Sequence, residues 1–313
     1  MIEYGRTGFE VSELCLGTSN WGPLRVGETE SDRDARIGAL GRDFFSGTWP
    51  VTFIDTSNIY GDSQAEGLIG RSLAEAGGLP GGFVLQTKLD RDVATGGFSA
   101  DQMWRSLEQS LERLGLDRVQ VLFLHDPNDF GFGASMAPGG PVEALVAMKD
   151  QRLTASIGIS DGPVDTLAKF VETDVFDALI THNRYTLVDR SASALLDFAT
   201  AHRMGVTNAA PFGGGILTGD PRFAGRYGYL PAPPSVETAV AAMAAACHAA
   251  GVPLAAAALQ FSMRDPRIHS TVVGASSVER FEEVLAFSRT PIAGALWDEL
   301  DSLAPTFALD SLL

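Results

Sequence analysis

The chain has 313 residues, 45% of them hydrophobic, with a formal net charge of −16 and a pI of about 4.6. The length suits one α/β barrel, and the apolar fraction is ordinary for a soluble globular protein. An acidic balance of this size repels phosphate backbones, so nucleic acid and anionic membrane surfaces are not expected partners, and any anionic ligand needs a local basic pocket.

Met1 to Leu16 reads as a short hairpin turning at Gly5-Arg-Thr-Gly8. Strand-like runs then end near Thr18, Asp55, Lys88, His125, Ser160, Thr181, Asn208 and Gly274, most of them separated by one amphipathic helical stretch. Ser63-Gln-Ala-Glu66 and Ser276-Ser-Val-Glu279 have capping-box spacing, and Ser99 to Gln102 gives a weaker version before a helix over Met103 to Leu114. Met103, Leu107, Leu111 and Leu114 fall on one face of that helix. Strands alternating with helices in this way predict a single parallel (β/α)8 barrel domain over residues 1–313. An open doubly wound sheet would need a Gly-rich dinucleotide loop after its first strand, and Gly17-Thr-Ser-Asn-Trp-Gly22 lacks that spacing.

Pro211 to Ser235 is long, rich in Gly, Pro and aromatics, and expected to hang over the C-terminal mouth of the barrel. Ala239 to Ala258 is interrupted by Cys247, His248, Gly251 and Pro253, so helix, turn, helix is expected there and not a membrane span. Cys15 and Cys247 have no metal-ligand spacing and read as buried, reduced thiols. With no charged-then-apolar leader before the first strand, a cytoplasmic protein is expected.

Four residues carry the chemistry. Asp55 and Tyr60 lie in Phe53-Ile-Asp-Thr-Ser-Asn-Ile-Tyr-Gly61, Lys88 ends Phe83-Val-Leu-Gln-Thr-Lys88, and His125 lies in Val121-Leu-Phe-Leu-His-Asp-Pro127. Taken singly they are a turn acid, a packing aromatic, a solvated amine and a structural imidazole. At the ends of successive barrel strands they converge on one mouth, where a tyrosine beside a lysine, an aspartate and a histidine makes a proton-transfer device. Trp49, Trp104, His202, His248 and His269 have no such pattern and read as structural.

In this order the motifs resemble the aldo-keto reductase superfamily over nearly the whole chain. Asn183 to Arg190, Asn208 to Leu217 and Tyr227 to Pro234 look like its branch of sugar and pyridoxal dehydrogenases of the D-threo-aldose 1-dehydrogenase type. The resemblance implies an NAD(P)-dependent oxidoreductase without a metal. Tyr60 would be the general acid/base, with its pKa lowered by Lys88; Asp55 would hold Lys88, and His125 would donate to the substrate oxygen. The expected reaction oxidises an aldose such as L-fucose at C1 to the lactone, with pyridoxal 4-dehydrogenase or aldehyde and ketone reductase activity as alternatives.

For the cofactor, the resemblance points to Gly17, Thr18 and Asp55, and to Ser160 with Asp161, where the family has Ser-Asn. The family's Gln falls at His182, with Asn183 beside it, and the carboxamide would be held by one or the other. Pro211, Phe212, Gly213, Gly215 and Leu217 follow, then Gly274, Ala275, Ser276, Arg280 and Glu283 at a phosphate-binding helix start. Ala209 and Ala210 stand where many members stack an aromatic on the nicotinamide, so that stacking is absent or supplied by another group, with Trp21 and Phe212 as candidates. A missing lysine at Gly274 tilts the expectation towards NAD, or dual use, over strict NADP. Trp21, Asn58, Tyr60 and His125 are expected to touch a sugar or aldehyde substrate, with Phe130 to Phe132 and Tyr227 to Tyr229 as walls. Monomers and homo-oligomers are both compatible. Two other classes compete with this reading: a redox-sensing subunit with little turnover, and a metal-dependent barrel using His125 and Asp126, which Pro127 disfavours.

Overall fold

The computed structural model describes residues 1–305, so the end of the expected 1–313 domain lies outside the described residues. Strand β1 (Ile2–Glu3) pairs antiparallel with β2 (Glu10–Val11) across a 3₁₀ turn at Gly5–Thr7. Then come β3 (Leu14–Gly17), β4 (Phe53–Asp55), β5 (Val84–Leu89), β6 (Val119–His125), β7 (Thr154–Asp161), β8 (Ala178–His182) and β9 (Gly205–Ala209). A small hairpin of β10 (Arg226–Tyr227) and β11 (Leu230–Pro231) precedes β12 (Ser270–Gly274). Strands β3 to β9 and β12 form a closed parallel barrel, with β12 paired to both β3 and β9. The protein is therefore a (β/α)8 barrel, with helices packed outside the strands.

Period-two alternation divides the core in two. Inside the barrel lie Cys15, Phe53, Val84, Val121, Phe123, Ile180 and Val272, with Tyr4 from the hairpin loop closing the base. The Tyr4 hydroxyl meets Thr207 Oγ1 at 2.7 Å. Residues of the opposite strand face, such as Leu16, Ile54, Leu85 and Leu122, join the larger cluster with the helices.

Helix starts were only partly legible. Ser99 caps the helix Ala100–Leu114 through the Gln102 amide, as expected, and Met103 and Leu107 are buried. The Ser63 box does not form, because the helix Ala65–Ala76 begins after Gln64 without a side-chain cap. Glu66 is buried instead and accepts from Thr87 Oγ1 at 2.7 Å, which draws it towards the barrel and away from the helix start. In the late box the cap is Ser277, one residue further on, accepting from the Arg280 amide. A complete box forms at Thr29 and Asp32, ahead of the helix Glu30–Phe45.

The segment Pro211 to Ser235 folds into short 3₁₀ turns and the β10–β11 hairpin, pinned by the buried Tyr227 hydroxyl, which donates to the Asn183 carbonyl at 2.7 Å. Helices Pro234–Ala249 and Leu254–Met263 meet at a 103° bend, and no single described helix is long and apolar enough to cross a membrane. Cys15 and Cys247 are both buried and free.

Candidate active site at the barrel mouth

The inward register of the strands carries polar groups up to the mouth. On β6, Val121 and Phe123 fill the barrel, and the next inward residue is His125. On β5 the same step runs from Val84 through Gln86 to Lys88, and on β4 from Phe53 to Asp55. Lys88 Nζ lies 2.8 Å from both Asp55 carboxylate oxygens and 2.8 Å from the Thr56 carbonyl. Gln86 Nε2 donates to Asp55 Oδ1 at 2.8 Å and fixes the carboxylate from below.

Tyr60 enters from the loop after β4. Its ring centroid is 4.3 Å from Lys88 Nζ and 5.7 Å from the His125 ring, edge to face. The loop is held by a backbone contact: Gly61 has φ +60, and a Cβ on Gly22 would lie 1.9 Å from the Gly61 carbonyl oxygen. Only glycine at both positions lets the β3 and β4 loops approach so closely and seats Tyr60 over Lys88.

Burial pushes the Tyr60 phenol up, and the Lys88 cation offsets only part of that rise. The expected net lowering is thus not found; the buried Asp55 beside Lys88 also opposes the phenolate. For Lys88 itself burial favours the neutral amine, but Asp55 and Tyr60 outweigh it and hold the amine charged.

His125 has a partner that the sequence reading missed. Its Nδ1 lies 2.6 Å from Asp90 Oδ1, and Ser57 Oγ donates to the other oxygen of the same carboxylate. Burial would lower the His125 pKa, but Asp90 and Asp126 reverse the direction and raise it. Asp90 follows Lys88 by two positions, so the inward alternation of Gln86, Lys88 and Asp90 was the available signal.

These groups open into a cavity of about 1030 Å³ lined by Asp55, Tyr60, Lys88 and His125. The profile of the Aldo/keto reductase family matches residues 13–305. The chain belongs to that family. Among its relatives, L-galactose dehydrogenase of Arabidopsis thaliana is 30% identical over 287 residues, covering 90% of this chain and 86% of the relative. D-threo-aldose 1-dehydrogenase of a Pseudomonas species is 31% identical over 65% of this chain and 62% of the relative. Pyridoxal 4-dehydrogenase of Microbacterium luteolum is 26% identical over 95% of each chain. A holo aldo-keto reductase from Bacillus halodurans superposes with a TM-score of 0.77 at 20% identity, covering 98% of this chain and 97% of that one.

The family uses nicotinamide coenzymes, and the lining of this cavity leaves a trough with room for one. Gly17, Ala209, Ala210, Gly215 and Gly274 present almost no side chain, while Ser160, His182, Pro211 and Phe212 line it near the mouth. At the far end stand Ala275, Ser276, Arg280 and Glu283, beside the start of the helix Val278–Ser288. Arg280 pairs with Glu283, and Arg25 reaches Ser276 Oγ at 3.3 Å. The local basic groups that an acidic protein needs are therefore present.

Several expected contacts lie elsewhere. Trp21 is fully buried and donates through Nε1 to the Ala275 carbonyl at 2.8 Å, so it braces the cavity from behind and cannot stack on a ligand. Asn58 turns outward; its amide nitrogen bonds the Ser106 carbonyl at 3.0 Å and Ser110 Oγ at 3.2 Å. Thr18 donates to the Asp55 carbonyl at 2.9 Å, and Leu217 and Gly213 are buried under the long loop. Asp161 and Asn183 line a second, smaller cavity. Both Asp161 oxygens are taken by backbone donors, Gly162 at 2.8 Å and Asn128 at 3.0 Å, a task for an acceptor that explains an acid at this position.

Of the expected walls, Tyr229 lines the cavity. Tyr227 is buried, Phe130 packs on Phe98 and Phe132 on Phe170. Trp49 packs on Phe281, and His269 accepts from the Val206 amide at 3.0 Å.

Proposed function

We propose that this chain is an NAD(P)-linked aldose dehydrogenase that oxidises a neutral sugar at C1 to the lactone. The carrying observation is the stack of Asp55, Lys88 and Tyr60, with Lys88 bound to Asp55 at 2.8 Å and 4.3 Å from the Tyr60 ring centroid, opposite His125. The similarity to the L-galactose and D-threo-aldose dehydrogenases supports the sugar as substrate class.

The coenzyme supplies the hydride acceptor when bound. His125, with Nδ1 committed to Asp90, presents Nε2 to the anomeric oxygen and orients C1. In oxidation Tyr60 takes the anomeric proton as its phenolate and becomes the phenol, and Lys88 stabilises the phenolate that must form first. As hydride leaves C1, the O–H electron pair becomes the lactone carbonyl. At rest the buried phenol is protonated, so the site is set as an acid for reduction and gains rate in oxidation as pH rises.

Glu283 holds Arg280 at the adenosine end, which favours a ribose hydroxyl over a 2′-phosphate and hence NAD. The buried, unpaired thiols Cys15 and Cys247 support a cytoplasmic setting.

The test is an initial-rate screen following nicotinamide absorbance with L-fucose, D-arabinose, L-galactose and pyridoxal, each with NAD and NADP. Turnover of a sugar with NAD is expected. Turnover confined to pyridoxal, or a single stoichiometric burst, overturns the reading.

A further inference from the structure

The smaller cavity, of about 200 Å³, abuts the main one and shares Asp126, His182 and Tyr229 with it. None of the roles above uses it. Its polar groups are unevenly engaged. Asp161 is committed to backbone donors, and Arg91 is paired with Asp129 at 2.9 Å. Asp126 Oδ1 and Asn183 Oδ1, by contrast, are buried acceptors without a hydrogen-bond partner among the described residues. Asn183 is only 3% exposed, so an unmet acceptor there is costly unless a ligand donor reaches it.

The backbone is set to place these two groups. Asp126 and Asn183, each just past a barrel strand, both adopt left-handed conformations, with φ 46 and φ 58. The Asp126 carboxylate lies between two imidazoles, with Oδ2 at 3.7 Å from His125 Nε2 and Oδ1 at 3.9 Å from His182 Nε2. Asn183 Nδ2 stands 3.2 Å from His182 Nδ1. Over this row hangs Tyr229, its ring 6.1 Å from that of His182 and its side chain 74% exposed at the tip of the β10–β11 hairpin.

We infer that Asp126, Asn183 and Tyr229 form a hydroxyl-reading subsite that seats the part of an uncharged aldose remote from its reacting carbon. The two carboxyl-type oxygens accept from sugar hydroxyls, and the tyrosine face covers the ring C–H groups. A site built to pair with substrate hydroxyls rejects analogues lacking them, because its own buried acceptors stay unmet. The three carboxylates of the lining, Asp126, Asp129 and Asp161, outnumber its two guanidiniums, Arg91 and Arg184, so the cavity disfavours phosphate or uronate substituents and suits neutral sugars.

This inference rests on the proposed function for the position of C1, and its test separates the two. Asp126→Asn and Tyr229→Ala are compared with the unmutated chain by saturation-transfer NMR on L-galactose. Steady-state rates are then taken with NAD for L-galactose and with NADH for benzaldehyde, which has no hydroxyls. Each substitution is expected to weaken the saturation transfer and to lower kcat/KM for L-galactose relative to benzaldehyde by about tenfold or more, through KM. The Asn183→Gly variant, which tolerates the left-handed backbone, should do the same. No saturation transfer to L-galactose from the unmutated chain, or parallel changes for both substrates, overturns the subsite. Sugar bound through these residues without coenzyme-linked turnover sinks the dehydrogenase reading and leaves the subsite standing.

Discussion

His125 faces Asp90 through Nδ1 at 2.6 Å, so one buried carboxylate fixes the orientation of the imidazole at the mouth and, together with Asp126, favours its charged form. Asp90 is a positioning residue acting through His125. Their pairing raises the His125 pKa above its ordinary value of about 6.5. The stabilisation this brings is complete below the unfolded-state value and disappears as pH rises through the raised folded-state value. Asp90→Asn should therefore destabilise the protein most at mildly acidic pH, with the difference shrinking above neutrality. An NMR titration of the His125 ring nitrogens should show its midpoint moving down in the variant; an unmoved midpoint would show that Asp90 does not set the charge.

Removing the Tyr60 hydroxyl deletes the proton carrier and little else, because the ring still packs against His125 and Lys88. Tyr60→Phe should lower turnover by about 10²- to 10⁴-fold, the usual weight of a positioned acid/base. Coenzyme affinity, followed by fluorescence titration, should stay within a fewfold. Turnover near that of the unmutated chain would remove Tyr60 from the mechanism.

Lys88→Met strands Asp55 in the barrel with its cation gone. Breaking a buried pair from one side costs about 3–5 kcal/mol, so a large fall in the denaturant midpoint is expected. The phenol also loses the nearby cation that favours its ionised form. In the surviving folded fraction, the rise of oxidation rate with pH should shift to higher pH. An unchanged pH profile would break the proposed coupling between the amine and the phenol.

Two helix and loop glycines should respond in opposite ways. Gly22→Ala drives a Cβ into the Gly61 carbonyl, where backbone stands on both sides and neither can yield. Displacing Tyr60 by about 1 Å should cost about 10²-fold in kcat. Gly67, inside the helix Ala65–Ala76, has open space where its Cβ would be. Gly67→Ala should stabilise by about 0.5–1 kcal/mol and leave kcat alone. Thermal melts alongside rates separate the two; equal kcat in Gly22→Ala and the unmutated chain would dismiss the loop contact as a positioning device.

By itself the sequence determined the barrel and the four inward groups at its mouth. Strand signals ending in Asp55, Lys88 and His125 are local, and period-two alternation sends their side chains to the same interior as Phe53, Val84 and Phe123. Even Asp90 was within reach of that alternation. What only the tertiary structure decided depends on neighbours distant in sequence. Trp21 and Asn58 sit in the right loops, yet the Ala275 carbonyl and the Ser106–Ser110 helix edge draw them away from the cavity. The net direction of the Tyr60 pKa is likewise a contest between burial and one cation, and burial exists only once the chain has closed around the phenol. The separation of Asp161 from Asp126 also came from folding: two backbone amides occupy the first, while the second lies between the His125 and His182 imidazoles.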